Sequence, residues 1–190
     1  GLSEASLIAE LLSVYRQLQA GKSVELPVLQ ASYRDFIAME QQALADARHP
    51  AFWQHLEAAT ASRVQLAAAH DAAADEYQQS LSLSEAISCS LGASLSVGLR
   101  QLATQSGYSL KTLLLAAHLK TLSLACASDT VVSGVSFHGR PELVDSEKVL
   151  GLFVNILPVA MSVPEGSWTE LIGEVEACYK QVMQYRFYPL

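Results

Sequence analysis

Apolar residues recur at helical spacing through the first sixty residues and predict three helices. Leu7, Leu11 and Leu18 follow Ser3, a good N-cap residue, and precede Gly21, a typical helix stop. The same spacing returns twice before the chain becomes rich in alanine. The predicted helices cover about residues 4–20, residues 33–47, and a short segment that begins near Pro50 and carries Phe52, Trp53 and Leu56.

The rest of the chain alternates predicted strands with predicted helices. In order, we expect a strand over residues 81–87, a helix from residue 91 to about 107, a helix over 110–125 capped by Ser109, strands over 130–137 and 149–163, and a helix from 167 to about 186. Apolar positions nearly encircle the helix of residues 110–125, so we expect it to be buried. The alternation predicts an α/β fold with helices on both faces of a sheet.

Composition and charge narrow the classes of partner. Of the 190 residues, 51% are hydrophobic and only 16% are charged, against a usual charged share of about 25%. We therefore expect other protein to cover part of the surface. The net charge of −7 without a basic cluster argues against nucleic acid. The longest uncharged stretch, residues 149–164, is shorter than the ~20 apolar residues of a membrane span, so none is predicted.

The cysteines and the two ends of the chain point to an excised intracellular piece. Cys89, Cys126 and Cys178 form no C-x-x-C pair and lie near no histidine cluster, so we predict neither a disulfide framework nor a metal site. A reducing, cytoplasmic setting fits them best. The chain lacks an initiator Met and a polar tail, so we expect it to be part of a longer protein.

No motif for a serine hydrolase, zinc protease or nucleotide site is present, which leaves the five histidines as candidates for acid–base chemistry. His118 stands among apolar residues, so we predict a packed or boundary side chain rather than a base. We predict His49 and His55 at the surface and His70 in a linker. His138 follows a strand and precedes a Gly-Arg-Pro turn. Open α/β sheets bind their ligands at such strand ends, so both a catalytic and a structural role remain open for this histidine.

Two further residues carry open alternatives. Arg140 either clamps a phosphate or carboxylate ligand or forms an ion pair that fixes the turn, for example with Glu142. Asn155 lies in the middle of an apolar strand, where burying an amide costs roughly 1–3 kcal/mol unless it is hydrogen-bonded. Either a backbone carbonyl satisfies that amide or the side chain lines a polar cavity.

Five segments resemble motifs of the condensation domains of nonribosomal peptide synthetases, and they occur along the chain in the same order as in that family. Residues 151–158, GLFVNILP, resemble the strand motif G-x-F-V-N-T-x-P, with Ile156 in place of the usual Thr. Residues 33–40, YRDFIAME, resemble Y-x-D-F/Y-A-x-W, with Met39 where Trp is common. The other matching segments are FW at 52–53, Gly134 with GRP at 139–141, and RFYPL at 186–190, which resembles the segment near H-x-x-Y-P-L.

The N-terminus resembles the end of the family's catalytic motif. Residues 1–11 are similar to G-x-S-x-x-x-L-x-x-E-L, the part of the family's pattern that directly follows the Asp of H-H-x-x-x-D. The resemblance implies that Gly1 is the glycine of that motif and that the catalytic histidine lies upstream of this chain. It implies an acyltransferase in the intact parent, which forms an amide bond between carrier-bound substrates, and no turnover by residues 1–190 alone.

The resemblance also implies the fold and its division. We expect a chloramphenicol acetyltransferase-like α/β sandwich of two or three layers, built as two lobes with a tunnel between them. Residues 1–62 would be the C-terminal tail of the first lobe, residues 63–77 a linker, and residues 78–190 most of the second lobe.

Site residues follow from the same resemblance. Gly134, Ser136 and His138 alternate onto one face of their strand, and Asn155 lies on the neighbouring strand, so we expect these four to form the tunnel wall. Asp35, Arg140 and Gly151 would be structural residues of the motifs.

The implied partners are carrier proteins, the missing first lobe and neighbouring synthetase domains. Each carrier protein would present its substrate on a phosphopantetheine arm, so we expect no cofactor bound directly by this chain. An alternative is a non-catalytic docking or scaffold lobe that binds a carrier protein. An H-H-x-x-x-D sequence directly before Gly1 would favour the enzyme.

Overall fold

The computed structural model describes residues 1–59, 88–163 and 165–190. In these ranges the chain forms α1 (Leu2–Gln19), α2 (Tyr33–Ala45), α3 (Arg48–Ala59), α4 (Ala93–Ser106), α5 (Leu110–Cys126), β1 (Thr130–His138), a 3-10 helix (Ser146–Lys148), β2 (Val154–Ser162) and α6 (Trp168–Gln184). Each helix and strand predicted in the described ranges is present, with shifted ends. The strand predicted over 81–87, the linker and His70 lie outside the described residues.

Local side-chain chemistry sets several helix ends. Ser109 Oγ accepts a hydrogen bond from Thr112 N at 3.1 Å and so caps α5, as predicted. Gly107 has a φ of 72° and ends α4 in the left-handed region that favours glycine. At the start of α2, Ser32 N donates to Asp35 Oδ2 at 2.7 Å. Hydrogen bonds from Ser32 hold the pKa of Asp35 below its ordinary value.

The two strands pair with each other. Val163 N donates to Asp129 O at 2.6 Å, and Gly139 N donates to Phe153 O at 2.6 Å. The first bond joins the start of β1 to the end of β2 and the second joins the opposite ends, so the strands are antiparallel.

Burial alternates along β1 and distinguishes two faces of this strand pair. Val131 and Phe137 are buried, whereas Gly134, Ser136 and His138 are exposed. On β2, Ile156 is also exposed although it is apolar. The prediction that both faces are buried is therefore wrong for this pair.

The prediction that α5 is buried is correct for one face of the helix only. Leu114 and Leu124 are 45% and 72% exposed. The helix buries one face, which carries Thr112, Leu113, Ala116, Leu119 and Ser123. An apolar residue on every side of a helix thus does not by itself show that every side is packed.

The chain divides into two compact units, each assembled from separate stretches of sequence. Unit 1 comprises Gly1–His55, Gly134–Leu157 and Val182–Leu190, and unit 2 comprises Leu56–Ser133 and Pro158–Gln181. Unit 1 has a core of Ala31, Phe36, Val149 and Phe153, against which Leu29, Tyr33 and Phe187 pack. In unit 2, the buried residues include Leu119, Val131, Val159, Leu171 and Val175. The division of the chain at residues 63–77 stays a prediction.

None of the helices in the described ranges is long and apolar enough to cross a bilayer.

Candidate functional site

The exposed face of β1 brings three of the predicted site residues together. Gly134, Ser136 and His138 follow one another at every second position, so they share a face. A Cβ added at Gly134 would lie 3.1 Å from Ile156 Cγ2, which places Ile156 on this face as well. We call these four residues the strand face. It offers a hydroxyl and an imidazole beside a position without a side chain.

Asn155 lies on the opposite face of β2 from Ile156, because successive residues of a strand alternate. Its Nδ2 donates to Tyr188 O at 2.7 Å and to Arg186 O at 3.3 Å. Of the two alternatives, the structure shows the first: backbone carbonyls satisfy the amide. Asn155 therefore does not join the strand face, and it ties β2 to the C-terminal segment of unit 1.

Arg140 is held by backbone carbonyls. Its Nη1 donates to Val149 O at 2.7 Å and to Ser146 O, and its guanidinium carbon lies 4.0 Å from the centre of the Phe153 ring. Burial lowers the pKa of Arg140, yet a guanidinium stays charged at any ordinary pH. The side chain therefore fixes the loop before β2.

The suggested ion pair between Arg140 and Glu142 is absent. Glu142 Oε1 instead lies 3.6 Å from Arg186 Nη2. Arg140 instead directs Nη1 to two carbonyl groups of the loop and Nη2 to Ser3 Oγ.

The other two structural residues of the motifs have clear physical roles. Asp35 caps α2 through Ser32, as described above. A Cβ at Gly151 would lie only 2.5 Å from Tyr33 Cε2, so only glycine fits there without movement of the ring. Tyr33 Oη also donates to Leu152 O at 3.0 Å, which fastens α2 to the same loop.

Aromatic rings join the motif segments in unit 1. The ring centres of Phe36 and Phe153 lie 5.2 Å apart and those of Tyr33 and Phe153 lie 5.1 Å apart, both edge to face. A Cβ at Gly139 would meet Phe36 Cε2 at 2.6 Å, so the turn approaches this ring closely. The segments that contain Tyr33, Gly139, Phe153 and Phe187 thus converge in the core of unit 1.

Gly1 is the N-cap of α1, and its carbonyl accepts a hydrogen bond from Ala5 N at 3.0 Å. Residues 1–190 contain no H-H-x-x-x-D sequence. Within the described ranges, no group of three His, Cys, Asp or Glu side chains is arranged to hold a metal ion.

Two histidines differ from their sequence predictions. His118 is exposed, and its Nε2 lies 2.9 Å from Ser133 Oγ. His49 was predicted at the surface, but its Nδ1 is buried without a hydrogen-bond partner. The His49 ring packs edge-on against Tyr185 at 5.0 Å and stacks on Tyr188 at 6.0 Å.

Sequence reasoning missed this aromatic group beside α3. The centres of the Phe52 and Tyr185 rings lie 4.0 Å apart, nearly parallel. A depression of about 320 Å³ lies next to it, lined in part by Met39, His49 and Gln184. The clustering of Tyr185 and Tyr188 near the F-W pair in space could not be read from residues more than 130 positions apart in the sequence.

Comparison with known proteins gives consistent matches. The Condensation domain family model matches residues 1–190. The AMB antimetabolite synthetase AmbE of Pseudomonas aeruginosa is 36% identical over 165 residues, which make up 85% of this chain and 7% of that protein. This chain therefore spans only a small part of that relative's length.

Solved structures establish the fold. The first condensation domain of the CDA synthetase superposes with a TM-score of 0.75 at 22% identity, over 100% of this chain and 41% of that chain. The epimerization domain from the third module of tyrocidine synthetase B gives a TM-score of 0.76 at 20% identity, over 98% and 43%. These matches confirm the predicted chloramphenicol acetyltransferase-like α/β fold, and the fold alone does not separate condensation from epimerization.

Proposed function

The chain belongs to the condensation-domain family, and we propose that it supplies one wall of the active-site tunnel of an amide-forming acyltransferase. The observation that carries the proposal is the convergence of the family motifs in unit 1. Ser3 and Gly151, for example, are hydrogen-bonded although 148 positions separate them in the sequence. Such long-range agreement between motif residues supports a working domain rather than an accidental resemblance.

The proposed reaction transfers an acyl group from sulfur to nitrogen. An acceptor amine attacks the donor thioester carbonyl carbon, a tetrahedral intermediate forms, and the carrier thiol leaves as the new C–N bond is retained. The amine loses one proton and the departing sulfur gains one. The histidine that deprotonates or positions the amine is expected from the resemblance to lie before Gly1.

We assign the strand face to the tunnel wall. At Gly134 the missing side chain leaves room for Ile156, whose Cγ2 lies 3.1 Å from where a Cβ would stand, so a phosphopantetheine arm would pass Gly134 along the exposed Ile156 side chain. Ser136 and His138 are exposed on the same face and can donate or accept hydrogen bonds along that arm. We also expect Asn155 to contribute to the wall, but indirectly. Its amide donates to the Arg186 and Tyr188 carbonyls, so it would hold the C-terminal segment of unit 1 in position.

The proposed partners are carrier proteins and the neighbouring domains of a nonribosomal peptide synthetase. The phosphopantetheine would belong to the carriers, so this chain would bind no cofactor of its own. The free Cys89, Cys126 and Cys178 support a reducing, cytoplasmic setting.

The test uses the intact parent protein with loaded donor and acceptor carrier proteins, and detects the amide product by mass spectrometry. His138→Ala should slow product formation at subsaturating carrier concentrations while leaving the unfolding midpoint unchanged. His118→Ala is the matched control, because His118 is also an exposed histidine of this chain. Equal rates for both variants would remove the strand face from the tunnel, and no amide from the unmodified parent would refute the function.

A non-catalytic docking lobe is the second candidate, and the exposed side of α1 favours it. Leu7 and Leu11 are 52% and 64% exposed, so the helix offers an apolar surface that needs no chemistry to bind protein. Under this alternative, the parent would bind loaded carrier proteins but release no amide, and the ten residues before Gly1 would lack H-H-x-x-x-D.

A further inference from the structure

The hydroxyl of Ser3 is a junction of three hydrogen bonds in unit 1. Ser3 Oγ donates to Gly151 O at 2.8 Å. It accepts from Arg140 Nη2 at 3.0 Å and from Gly151 N at 3.3 Å. A serine hydroxyl has one donor and two acceptor positions, so its hydrogen-bonding capacity is fully used here.

The partners of this hydroxyl are themselves fixed. Arg140 is bound to the Ser146 and Val149 carbonyls and packs over Phe153. Gly151 has the Tyr33 ring directly beside it. Ser3 therefore joins the first turn of α1 to a rigid part of the loop that precedes β2.

Polar contacts also hold α1 one turn later. Ser6 Oγ donates to Glu147 O at 3.1 Å, on the same side of the helix as Ser3. The larger apolar side chains of α1, such as Leu7 and Leu11, stay exposed. Within unit 1, the orientation of the first turn of α1 thus depends strongly on Ser3.

We propose that Ser3 is a positioning residue for the acyl transfer, because its three hydrogen bonds fix the helix turn that begins at Gly1. This inference rests on the proposed function, in which the motif H-H-x-x-x-D ends directly before Gly1 and its second histidine stands five residues before that glycine. A tilt of the turn at Gly1 would therefore shift that histidine through the few backbone residues that separate them. A displacement of about 1 Å at a reacting group can reduce a rate on the order of 100-fold.

The experiment compares three variants in the intact parent that carries H-H-x-x-x-D before Gly1, with loaded carrier proteins as substrates. Ser3→Ala removes the junction and should lower kcat roughly 10- to 100-fold. KM for the acceptor carrier should stay within about twofold, because Ser3 is part-buried and its three hydrogen bonds lie within unit 1. Ser3→Thr keeps the hydroxyl and should recover most of kcat. Ser13→Ala is the matched control, since Ser13 lies on the same helix, its hydroxyl accepts from Gln17 Nε2 of that helix at 3.4 Å, and its loss should leave kcat near the parent value.

The outcomes separate the two levels of inference. If the unmodified parent forms no amide, the proposed function fails. If the parent is active and Ser3→Ala keeps the parent kcat, or Ser13→Ala loses as much as Ser3→Ala, the positioning role is overturned. Should Ser3→Ala fail to fold, Ser3→Cys decides: its weaker hydrogen bonds should give an intermediate kcat, and a full parent kcat refutes the role.

Discussion

Replacing Asn155 with Asp tests whether its amide acts as a donor to two carbonyl groups. The substitution Asn155→Asp keeps the size and shape of the side chain but replaces the NH2 group with oxygen. At neutral pH, a carboxylate would then face Arg186 O and Tyr188 O, which now accept from Nδ2 at 3.3 Å and 2.7 Å. Asn155→Ala is the control, because it removes the donor without adding a charge.

The expected cost follows from the two hydrogen bonds. Each neutral hydrogen bond contributes about 0.5–1.5 kcal/mol, so Asn155→Ala should lower the free energy of unfolding by about 1–3 kcal/mol. In Asn155→Asp, the half-buried carbonyls should raise the pKa of the introduced carboxyl above its unfolded value. Every unit of that rise adds about 1.4 kcal/mol of cost at a pH where the carboxyl is ionised.

The sign of the pH dependence is fixed by this direction. A group whose pKa is raised in the folded state adds most to the free energy of unfolding at a pH below its unfolded pKa. There the carboxyl of Asn155→Asp is protonated and can donate one hydrogen bond. That contribution is lost as the pH rises through the folded pKa. Asn155→Asp should therefore be less stable than Asn155→Ala at pH 8, and the gap should shrink or reverse near pH 4.

The assay is equilibrium urea unfolding of wild type and both variants at pH 8 and pH 4, followed by tryptophan fluorescence from Trp53 and Trp168. Comparing the two variants at each pH cancels the titration of the other carboxyl groups. Hydrogen exchange of the amides near residue 186 reports the local effect. A gap between the variants that does not change with pH would show that the amide is not the donor.

Two further predictions concern unit 1. Gly151→Ala should lower the free energy of unfolding by about 1–3 kcal/mol, because the new Cβ would lie 2.5 Å from Tyr33 Cε2. This loss should be smaller when Tyr33 is also replaced by Ala. If the two substitutions are instead additive in a double-mutant cycle, the clash is disproved. Hydrogen bonds from Arg48 lower the pKa of Asp46 to about 2, so the carboxyl should titrate there by NMR and return toward its ordinary value in Arg48→Ala. Its stabilising effect is present above the unfolded pKa and lost as the pH falls through about 2; an ordinary midpoint in wild type would contradict the pairing.

The elements that local chemistry defines were predictable. Ser109 marks the start of a helix because its hydroxyl accepts from a backbone N–H that has no partner inside the helix. Gly107 marks the end of a helix because glycine adopts positive φ without strain. Both effects involve only residues a few positions apart, so they can be read from the sequence. The strand predicted over residues 149–163 begins only at Val154 in the structure. Its first part is a loop in which Arg140 Nη1 donates to the Val149 carbonyl, a contact that apolar patterning does not reveal.

The geometry of the candidate site was predictable in part, from the alternation of β1, whereas its role in a tunnel wall stays a prediction. Alternation correctly grouped Gly134, Ser136 and His138 on one exposed face. It also carries the information that Asn155 and Ile156 face opposite ways, but not which of them faces β1's exposed side, because that depends on pairing between distant strands. The buried Nδ1 of His49 escaped prediction because its neighbours Tyr185 and Tyr188 come from the far end of the chain.

The discontinuity of unit 1 has a consequence for how the chain acquires its structure. Its three stretches are Gly1–His55, Gly134–Leu157 and Val182–Leu190, so its core contacts join residues far apart in sequence. Contacts of high sequence separation require the closure of long loops before they contribute, which raises contact order and slows folding. During synthesis, the Asn155 bonds to Arg186 and Tyr188 cannot form until the last stretch has left the ribosome. A nascent chain that stops before residue 182 would therefore expose the Phe36 and Phe153 rings without Phe187 to pack against them, and become a substrate for chaperones.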